Sequence, residues 1–405
     1  MNTTKPKLLF VSPVFLFPND SGGKIRTSNI LRGLKGGKFH VTLVSPGSSE
    51  QVKTGDKDIA SVCDEYLCWT PRQPKPKWLR FFDLFDSLPI NVVADRTEHG
   101  IAAVGRACKE AVFDLVVFDF VHSTVLMPPD LACKSICFTH NVEAEIFQRH
   151  ADTAQGLVMR MIWRSQYRKM VHFEHIALAQ FSEVIAVSER DAKVFRGLDG
   201  ITAVHAIPTG VDLDYFKWRD ITADSLPVTP TVVFTGSMDW AANIEGIRYF
   251  LTDIWPLVID KLPSAKFVVV GRNPPEVIVK LAKESCNVEI TGYVDDVRPF
   301  VYRAHVFVIP LLVGGGTRIK GFEAMAMGCP IVSTSIGMEG LDAIPETHYL
   351  ERNHANVFAS SVISLLVDSE LRNKISQAAR QLVEKRFGHM VAAKAFESIC
   401  MKALC

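Results

Sequence analysis

The sequence predicts an α/β chain made of two similar, mainly parallel sheets in series, each covered by helices on both faces. Three observations carry this. Short apolar runs alternate with helical patterns from residue 8 onward, the arrangement of strands joined by crossover helices. The pattern stops and restarts at Thr231, as two folds in a row would do. Glycine clusters fall directly after apolar runs, at Gly22-Gly23 and at Gly314-Gly315-Gly316, where open α/β sheets bind their ligands. A length of 405 residues agrees with about two domains.

In chain order, residues 8–11 read as a buried strand, 24–34 as a helix and 41–45 as a second strand. This is a βαβ unit with Gly22 and Gly23 at the carboxyl end of its first strand. Residues 115–118, 135–138 and 183–187 supply further strands. The second set has strands at 231–236, 266–271, 288–290, 306–310 and 330–333, with a helix from Asn243 and another after the three glycines. The join is placed at 207–216, punctuated by Pro208 and Gly210. The expected boundaries are an N-terminal domain over 1–209, a C-terminal domain over 210–387 and a final helical segment over 388–405. The opening has cations before an apolar run, but Pro13 and Pro18 interrupt it, so a first strand fits better than a signal peptide. With no apolar run of membrane-spanning length, no span is expected.

Apolar residues make up 48% and charged residues 22% of the chain, enough to bury sizeable cores. Lys plus Arg is 45 against 44 for Asp plus Glu, a balance unlike that of a general nucleic-acid binder. The nine cysteines form no CxxC pair, so reduced thiols and a cytoplasmic location are expected rather than a zinc site.

The most informative segment runs from Val313 to Ser333. Gly314, Gly315 and Gly316 allow close backbone approach. The helix start beyond them offers unpaired N–H groups and partial positive charge, which suits a phosphate. Arg318 and Lys320 add two full cations, although cations are badly placed at a helix start unless an anion sits there. Glu323 shares a helix face with Lys320, and a pair of sugar hydroxyls would satisfy its carboxylate. Gly236 and Ser237 end the first strand of the second set, where glycine admits close backbone approach and the hydroxyl can donate to phosphate. Gly271-Arg272 and the segment 292–296 end later strands at the same face. The Asp295-Asp296 pair reads as a helix-starting turn rather than a metal site. Gly22-Gly23 reads as a ligand-facing loop or as a plain βα turn, and Lys24 and Arg26 read as cations that help neutralise phosphate or as a solvated helix start.

The glycine loop with Thr317-Arg318-Ile319-Lys320, followed by Glu323-Ala-Met-Ala-Met-Gly328, resembles the nucleotide-sugar site of retaining glycosyltransferases of family 4. It is closest in pattern to bacterial members that build exopolysaccharide and other surface glycans. The resemblance implies the GT-B fold, two Rossmann-like domains facing across a cleft. The N-terminal domain would take the acceptor, the C-terminal domain the nucleotide sugar, and the last helix would cross back to the first domain. It implies Arg318 and Lys320 as catalytic cations at the diphosphate, with Gly315, Gly316 and Thr317 around it and Glu323 on the ribose. Gly236, Ser237 and Arg272 would complete the donor site, with the base near Tyr293 and Val294. His140, after the strand 135–138, matches a functional histidine of the family and would meet the donor sugar or acceptor, a structural histidine being the alternative; Asn141 and Glu143 would orient it, with helix capping as their alternative. Gly22 and Gly23 would form an acceptor or diphosphate loop. One departure stands out. Many members carry a second Glu eight positions before the one matched by Glu323, and here that position is Gly315, whose amide would substitute.

The expected function is a metal-independent hexosyltransferase that moves a sugar from a UDP- or GDP-linked donor to a glycan or lipid-linked acceptor, with no cofactor. A nucleotide-sugar epimerase or hydrolase, and a non-catalytic partner in glycan assembly, are the alternatives. Residues 71–82 and 159–170 mix cations with aromatic and apolar residues. They read either as surface loop and packed helix, or as a peripheral contact with anionic lipid at the inner face of the plasma membrane.

Overall fold

The computed structural model describes residues 5–19, 21–72, 76, 81–154, 156–201, 203–207, 210–219, 226–313 and 319–404. It divides into two compact units, Met1–Gly210 with His389–Cys405, and Val211–Gly388.

Among the described residues the first unit holds seven strands: β1 (Lys7–Val11), β2 (His40–Pro46), β3 (Glu65–Trp69), β4 (Leu115–Asp119), β5 (Lys134–Phe138), β6 (Glu183–Ala186) and β7 (Val204–Ala206). Their order is β3-β2-β1-β4-β5-β6-β7, and every pairing is parallel. Side chains alternate across β1. Leu8 and Phe10 join one core with Ile30, Leu34 and Phe396, while Leu9 and Val11 join the other with Phe118, Met170 and Leu178. Burial on both faces explains why β4 reads as an unbroken apolar run. The first face is covered by α1 (Gly22–Leu34) and by the C-terminal helix His389–Leu404, whose Phe396 packs edge-on to Phe138 at 5.2 Å. The second face carries α2 (Glu143–Thr153) and α3 (Leu157–Leu178). In place of a local cap, α2 has Glu174 of α3, whose carboxylate accepts from the backbone N–H of Glu143 at 2.8 Å and Ala144 at 3.3 Å.

The second unit repeats the design with six strands among the described residues: β8 (Thr231–Thr235), β9 (Lys266–Val270), β10 (Val288–Gly292), β11 (Val306–Ile309), β12 (Ile331–Ser333) and β13 (Leu350–Glu351). The order β10-β9-β8-β11-β12-β13 is again parallel throughout. Helix α4 (Ala241–Tyr249) follows β8, and α5 (Ile319–Ala326) lies between β11 and β12. Phe250, Trp255, Phe267 and Phe358 fill one core, and Phe307, Phe322, Met325 and Phe387 the other.

Two differences from the sequence reading have simple causes. Helix α1 begins at Gly22 rather than Lys24, because the two glycines adopt helical backbone in its first turn. Strands β3, β7 and β13 were not expected. β3 is an edge strand with only Trp69 buried, and β7 and β13 are three and two residues long, so none presents a run of apolar residues.

At the ends of β8 and β9 the backbone is packed so closely that a Cβ on Gly271 would fall on the carbonyl oxygen of Gly236 and 2.9 Å from its carbon. Backbone cannot swing aside as a side chain can, so Gly271→Ala should destabilise the fold by about 1–3 kcal/mol. Gly105, inside the helix Glu98–Glu110, has nothing within 4 Å of its Cβ position. Gly105→Ala should stabilise by up to about 1 kcal/mol. Urea unfolding of both variants measures this, and equal midpoints would contradict the packing described.

Candidate functional site

The strand order of each sheet reverses at its first strand, which opens a crevice at the carboxyl ends between β1 and β4 and between β8 and β11. Each unit gathers polar residues there.

In the first unit the centre is Asp119, the last residue of β4 and fully buried. Its carboxylate accepts from His140 Nε2 at 2.6 Å, Thr27 Oγ1 at 2.8 Å and Ser12 Oγ at 3.3 Å. Arg26 Nη1 lies 3.1 Å from His140 Nδ1. A guanidinium only donates, so Nδ1 is the bare nitrogen and Nε2 carries the proton given to Asp119. Burial pulls the His140 imidazole below its ordinary pKa; Asp119 opposes this and Arg26 reinforces it, so the ring is neutral near pH 7. Phe120 stacks on His140 with centroids 3.8 Å apart and has a left-handed backbone, φ 67°. Gly23 makes room for that ring, since a Cβ there would lie 2.6 Å from Phe120 Cζ. On its other neighbour Phe120 stacks with His122, which bonds Asp95 at 2.5 Å. Burial lowers the His122 pKa, but the Asp95 bond and charge outweigh it and hold the imidazole above its ordinary value.

These contacts change several expectations. The His140 side chain is only 1% exposed with both nitrogens engaged, so in this conformation it braces the crevice rather than presenting a free edge. Asn141 and Glu143 are not its orienting partners: Asn141 donates to Glu143 at 3.4 Å, while Asp119 and Arg26 hold the ring. Arg26 is buried rather than solvated, and Lys24 donates to the carbonyl of Pro18 at 3.4 Å. Gly22 and Gly23 start a helix instead of forming a loop.

In the second unit Lys320, in the first turn of α5, donates to Asn243 Oδ1 at 2.9 Å and lies 4.2 Å from the centroid of the Phe234 ring. Asn243 in turn donates to the carbonyl of Ser237 at 2.8 Å. Gly236 leaves space for this amide. Ser237 was expected to donate to phosphate, but its hydroxyl donates to Asp239 Oδ2 at 2.8 Å. Asp239 also accepts from Arg272 Nε at 2.9 Å and Asn273 Nδ2 at 2.9 Å, and these bonds, Asn273 first, hold its carboxyl below the usual range. Glu323 is half-buried one turn after Lys320. Burial pushes its carboxyl up to about 7, against the pull of Lys320. Tyr293 follows β10 and is exposed, with Val294 half-buried beside it. Asp296 accepts from the backbone N–H of Arg298 at 2.9 Å and pairs with its guanidinium, as a helix-starting turn does. Gly314, Gly315, Gly316, Thr317 and Arg318 lie outside the described residues, as do Pro208 and Thr209 of the join.

Gly236, Ser237, Arg272 and Lys320 are thus gathered by one set of contacts at the ends of β8, β9 and β11. Sequence reasoning missed Asn243 and Asp239 there, and Asp119, Phe120 and His122 in the first unit. Asp119 had a signal, a carboxylate closing an apolar run. Asn243 had none, being 77 residues from Lys320.

Comparison with known proteins agrees with this picture. Residues 229–368 match the family model described as Glycosyl transferases group 1. A Klebsiella pneumoniae protein described as an uncharacterized 44.6 kDa protein in the cps region is 26% identical over 176 residues, 42% of this chain and 44% of that relative's length. Among solved structures, a glycosyltransferase from Rickettsia africae superposes with a TM-score of 0.67 at 16% identity, covering 99% of both chains. Anabaena HepE in complex with UDP and glucose gives 0.66 at 13% identity, covering 98% of this chain and 100% of that one. The fold is that of the GT-B glycosyltransferases, two parallel sheets with their helices.

Glu323 gives the site a pH dependence whose sign can be worked out. Its pKa is raised from the ordinary value of 4.5 to about 7 on folding, so it costs nothing while protonated in both states and costs stability as pH rises through that window. Glu323→Gln should therefore raise the thermal midpoint at pH 8 relative to the parent, with the difference shrinking towards pH 5. A midpoint lowered equally at both pH values would contradict the assignment.

Proposed function

We propose that the chain is a retaining, metal-independent glycosyltransferase that moves a hexosyl group from a nucleotide diphosphate sugar to a glycan or lipid-linked acceptor in surface-polysaccharide synthesis. The observation that carries this reading is Lys320, held at the end of β11 by Asn243 and Phe234 beside Gly236. A cation fixed at the switch point of a parallel sheet, at a helix start, fits a phosphate group. The match of this unit to Glycosyl transferases group 1 supports it. The likeness to HepE in complex with UDP and glucose makes UDP the first nucleotide to test, with GDP second.

On this reading Lys320 and Arg318, with the amides of Gly315 and Gly316 and the hydroxyl of Thr317, take the diphosphate. Arg272, paired with Asp239, borders the site, Glu323 accepts from the ribose hydroxyls, and backbone near Tyr293 and Val294 holds the base. As the bond to the sugar breaks, negative charge builds on the diphosphate and positive charge on the ring. Cations already in place need no reorganisation at that moment, which is how they lower the barrier. The acceptor hydroxyl attacks from the face that the diphosphate leaves and passes its proton to a phosphate oxygen. The first unit, with Gly22, Gly23 and His140, takes the acceptor. His140 keeps that surface rigid from beneath, as its burial between Asp119 and Arg26 suits.

A peripheral contact with anionic lipid belongs to the same proposal. Phe81, Phe82 and Phe85 are exposed, as are Leu157, Val158 and Met161 at the start of α3. Lys169 links the two segments by donating to the carbonyls of Leu84 at 2.8 Å and Asp86 at 2.5 Å. Exposed Arg160, Arg164 and Arg168 add charge along α3, while its inner stripe, Gln166, Met170 and Glu174, is buried. Residues 73–75 and 77–80 of this stretch lie outside the described residues. Among the described residues no helix is long and apolar enough to cross a membrane.

Lys320→Ala should keep the parent's circular dichroism and lose about 10²–10³ in transfer rate. The parent should bind UDP or GDP equally with and without chelator in calorimetry. Parent-like turnover by Lys320→Ala would refute the phosphate assignment. In a flotation assay the chain should rise with phosphatidylglycerol vesicles but not with phosphatidylcholine ones, and Phe82→Ser with Phe85→Ser should weaken this. No flotation with either lipid would end the membrane reading.

A further inference from the structure

We propose that Asn243 is a positioning residue that aims the Lys320 ammonium at the donor diphosphate; this deepens the reading above and rests on Lys320 meeting that group. A lysine is a point charge on a flexible stem, and its value at a phosphate depends on where the stem is held. Among the described residues, two groups hold it. Asn243 Oδ1 accepts from Nζ at 2.9 Å, and the buried Phe234 ring lies under the ammonium at 4.2 Å. Asn243 is itself fixed. It is only 5% exposed, and its amide nitrogen donates to the Ser237 carbonyl at 2.8 Å. The chemistry sets the orientation of the amide without ambiguity. The Ser237 carbonyl only accepts, so it faces NH₂, and Lys320 only donates, so it faces Oδ1. Gly236 completes the fit, because a Cβ there would stand 2.9 Å from Asn243 Nδ2.

The same short loop also sets Arg272. Ser237 Oγ donates to Asp239, and Arg272 Nε donates to Asp239 at 2.9 Å and lies 3.3 Å from Ser237 Oγ. Residues 236–239 are therefore a common reference for both cations, one held by a neutral amide and the other by a carboxylate. The choice of amide matters. A carboxylate at position 243 would accept from Lys320 equally well, but it would offer a second acceptor to the Ser237 carbonyl. It would also cancel the charge that the diphosphate needs.

Calorimetric titration with UDP and GDP tests this on the parent, Asn243→Ser, Asn243→Asp, Lys320→Ala and the double variant Asn243→Ser with Lys320→Ala. Asn243→Ser should weaken binding of the preferred nucleotide about tenfold, the loss of one charge-assisted hydrogen bond. Asn243→Asp should weaken it further despite its similar size. In the Lys320→Ala background Asn243→Ser should have little added effect, because the residue acts through the lysine. A penalty that persists undiminished in that background would overturn the proposal and make Asn243 a packing residue. So would an Asn243→Asp variant that binds as the parent does. If the parent binds neither nucleotide, or Lys320→Ala binds as the parent does, the diphosphate reading itself has failed, an outcome distinct from the first two. Thermal midpoints identify any variant that fails to fold, and either Asn243 variant alone then decides against the parent and Lys320→Ala.

Discussion

The reversal of strand order at the first strand of each sheet governs where chemistry is possible in this protein. Parallel strands need crossovers, and crossovers that leave in opposite directions from neighbouring strands open a crevice at their carboxyl ends. In one unit that crevice lies between β1 and β4 and holds Ser12, Asp119 and the start of α1. In the other it lies between β8 and β11 and holds Gly236, Asn243 and Lys320. Along the central strands both faces of each sheet are packed with apolar side chains. Polar groups collect at these ends because the strand backbone has run out of partners there and short side chains or glycines replace them.

The two crevices treat charge differently. In the first unit a fully buried carboxylate is satisfied from three sides, by imidazole, threonine and serine. Removing one hydrogen-bonding partner of such a buried group costs about 1–3 kcal/mol. The arrangement therefore fixes Phe120 and His140 rigidly. It also accounts for the left-handed backbone at Phe120, a conformation that persists only where its surroundings over-determine it. In the second unit charge is kept nearer the surface. Arg272 has a carboxylate partner, whereas Lys320 is held by an amide and an aromatic face.

Much of the fold was legible in the sequence because parallel strands buried on both faces announce themselves as unbroken apolar runs. Residues 115–118 and 266–271 did so, and Thr231 marked the restart. The edges were not legible, since β3 and β13 bury too little to need such a run. The site was half legible. Glycines and cations pointed to Gly236, Arg272 and Lys320, because local sequence carries their chemistry. The residues that hold them were not, because Asn243 meets Lys320, and Asp119 meets His140, only through tertiary contacts. For the same reason Asn141 and Glu143 were wrongly paired with His140: nearness in sequence stood in for nearness in space.

The partner given to Lys320 decides what the second crevice can do. A lysine paired with a carboxylate carries little net charge and offers a phosphate little gain. A lysine bonded to an amide keeps its full charge while losing its freedom of direction, the combination that electrostatic preorganisation requires. Glu323 tunes this further. Burial, outweighing the pull of Lys320, pushes its carboxyl up to about 7. Protonated, it leaves the lysine uncompensated; ionised, it becomes an acceptor for hydroxyl groups. An anion that settles on Lys320 would raise the Glu323 pKa again, whereas hydroxyls donated to Glu323 would lower it. A ligand that brings both, a diphosphate joined to a sugar with adjacent hydroxyls, lets the two effects offset.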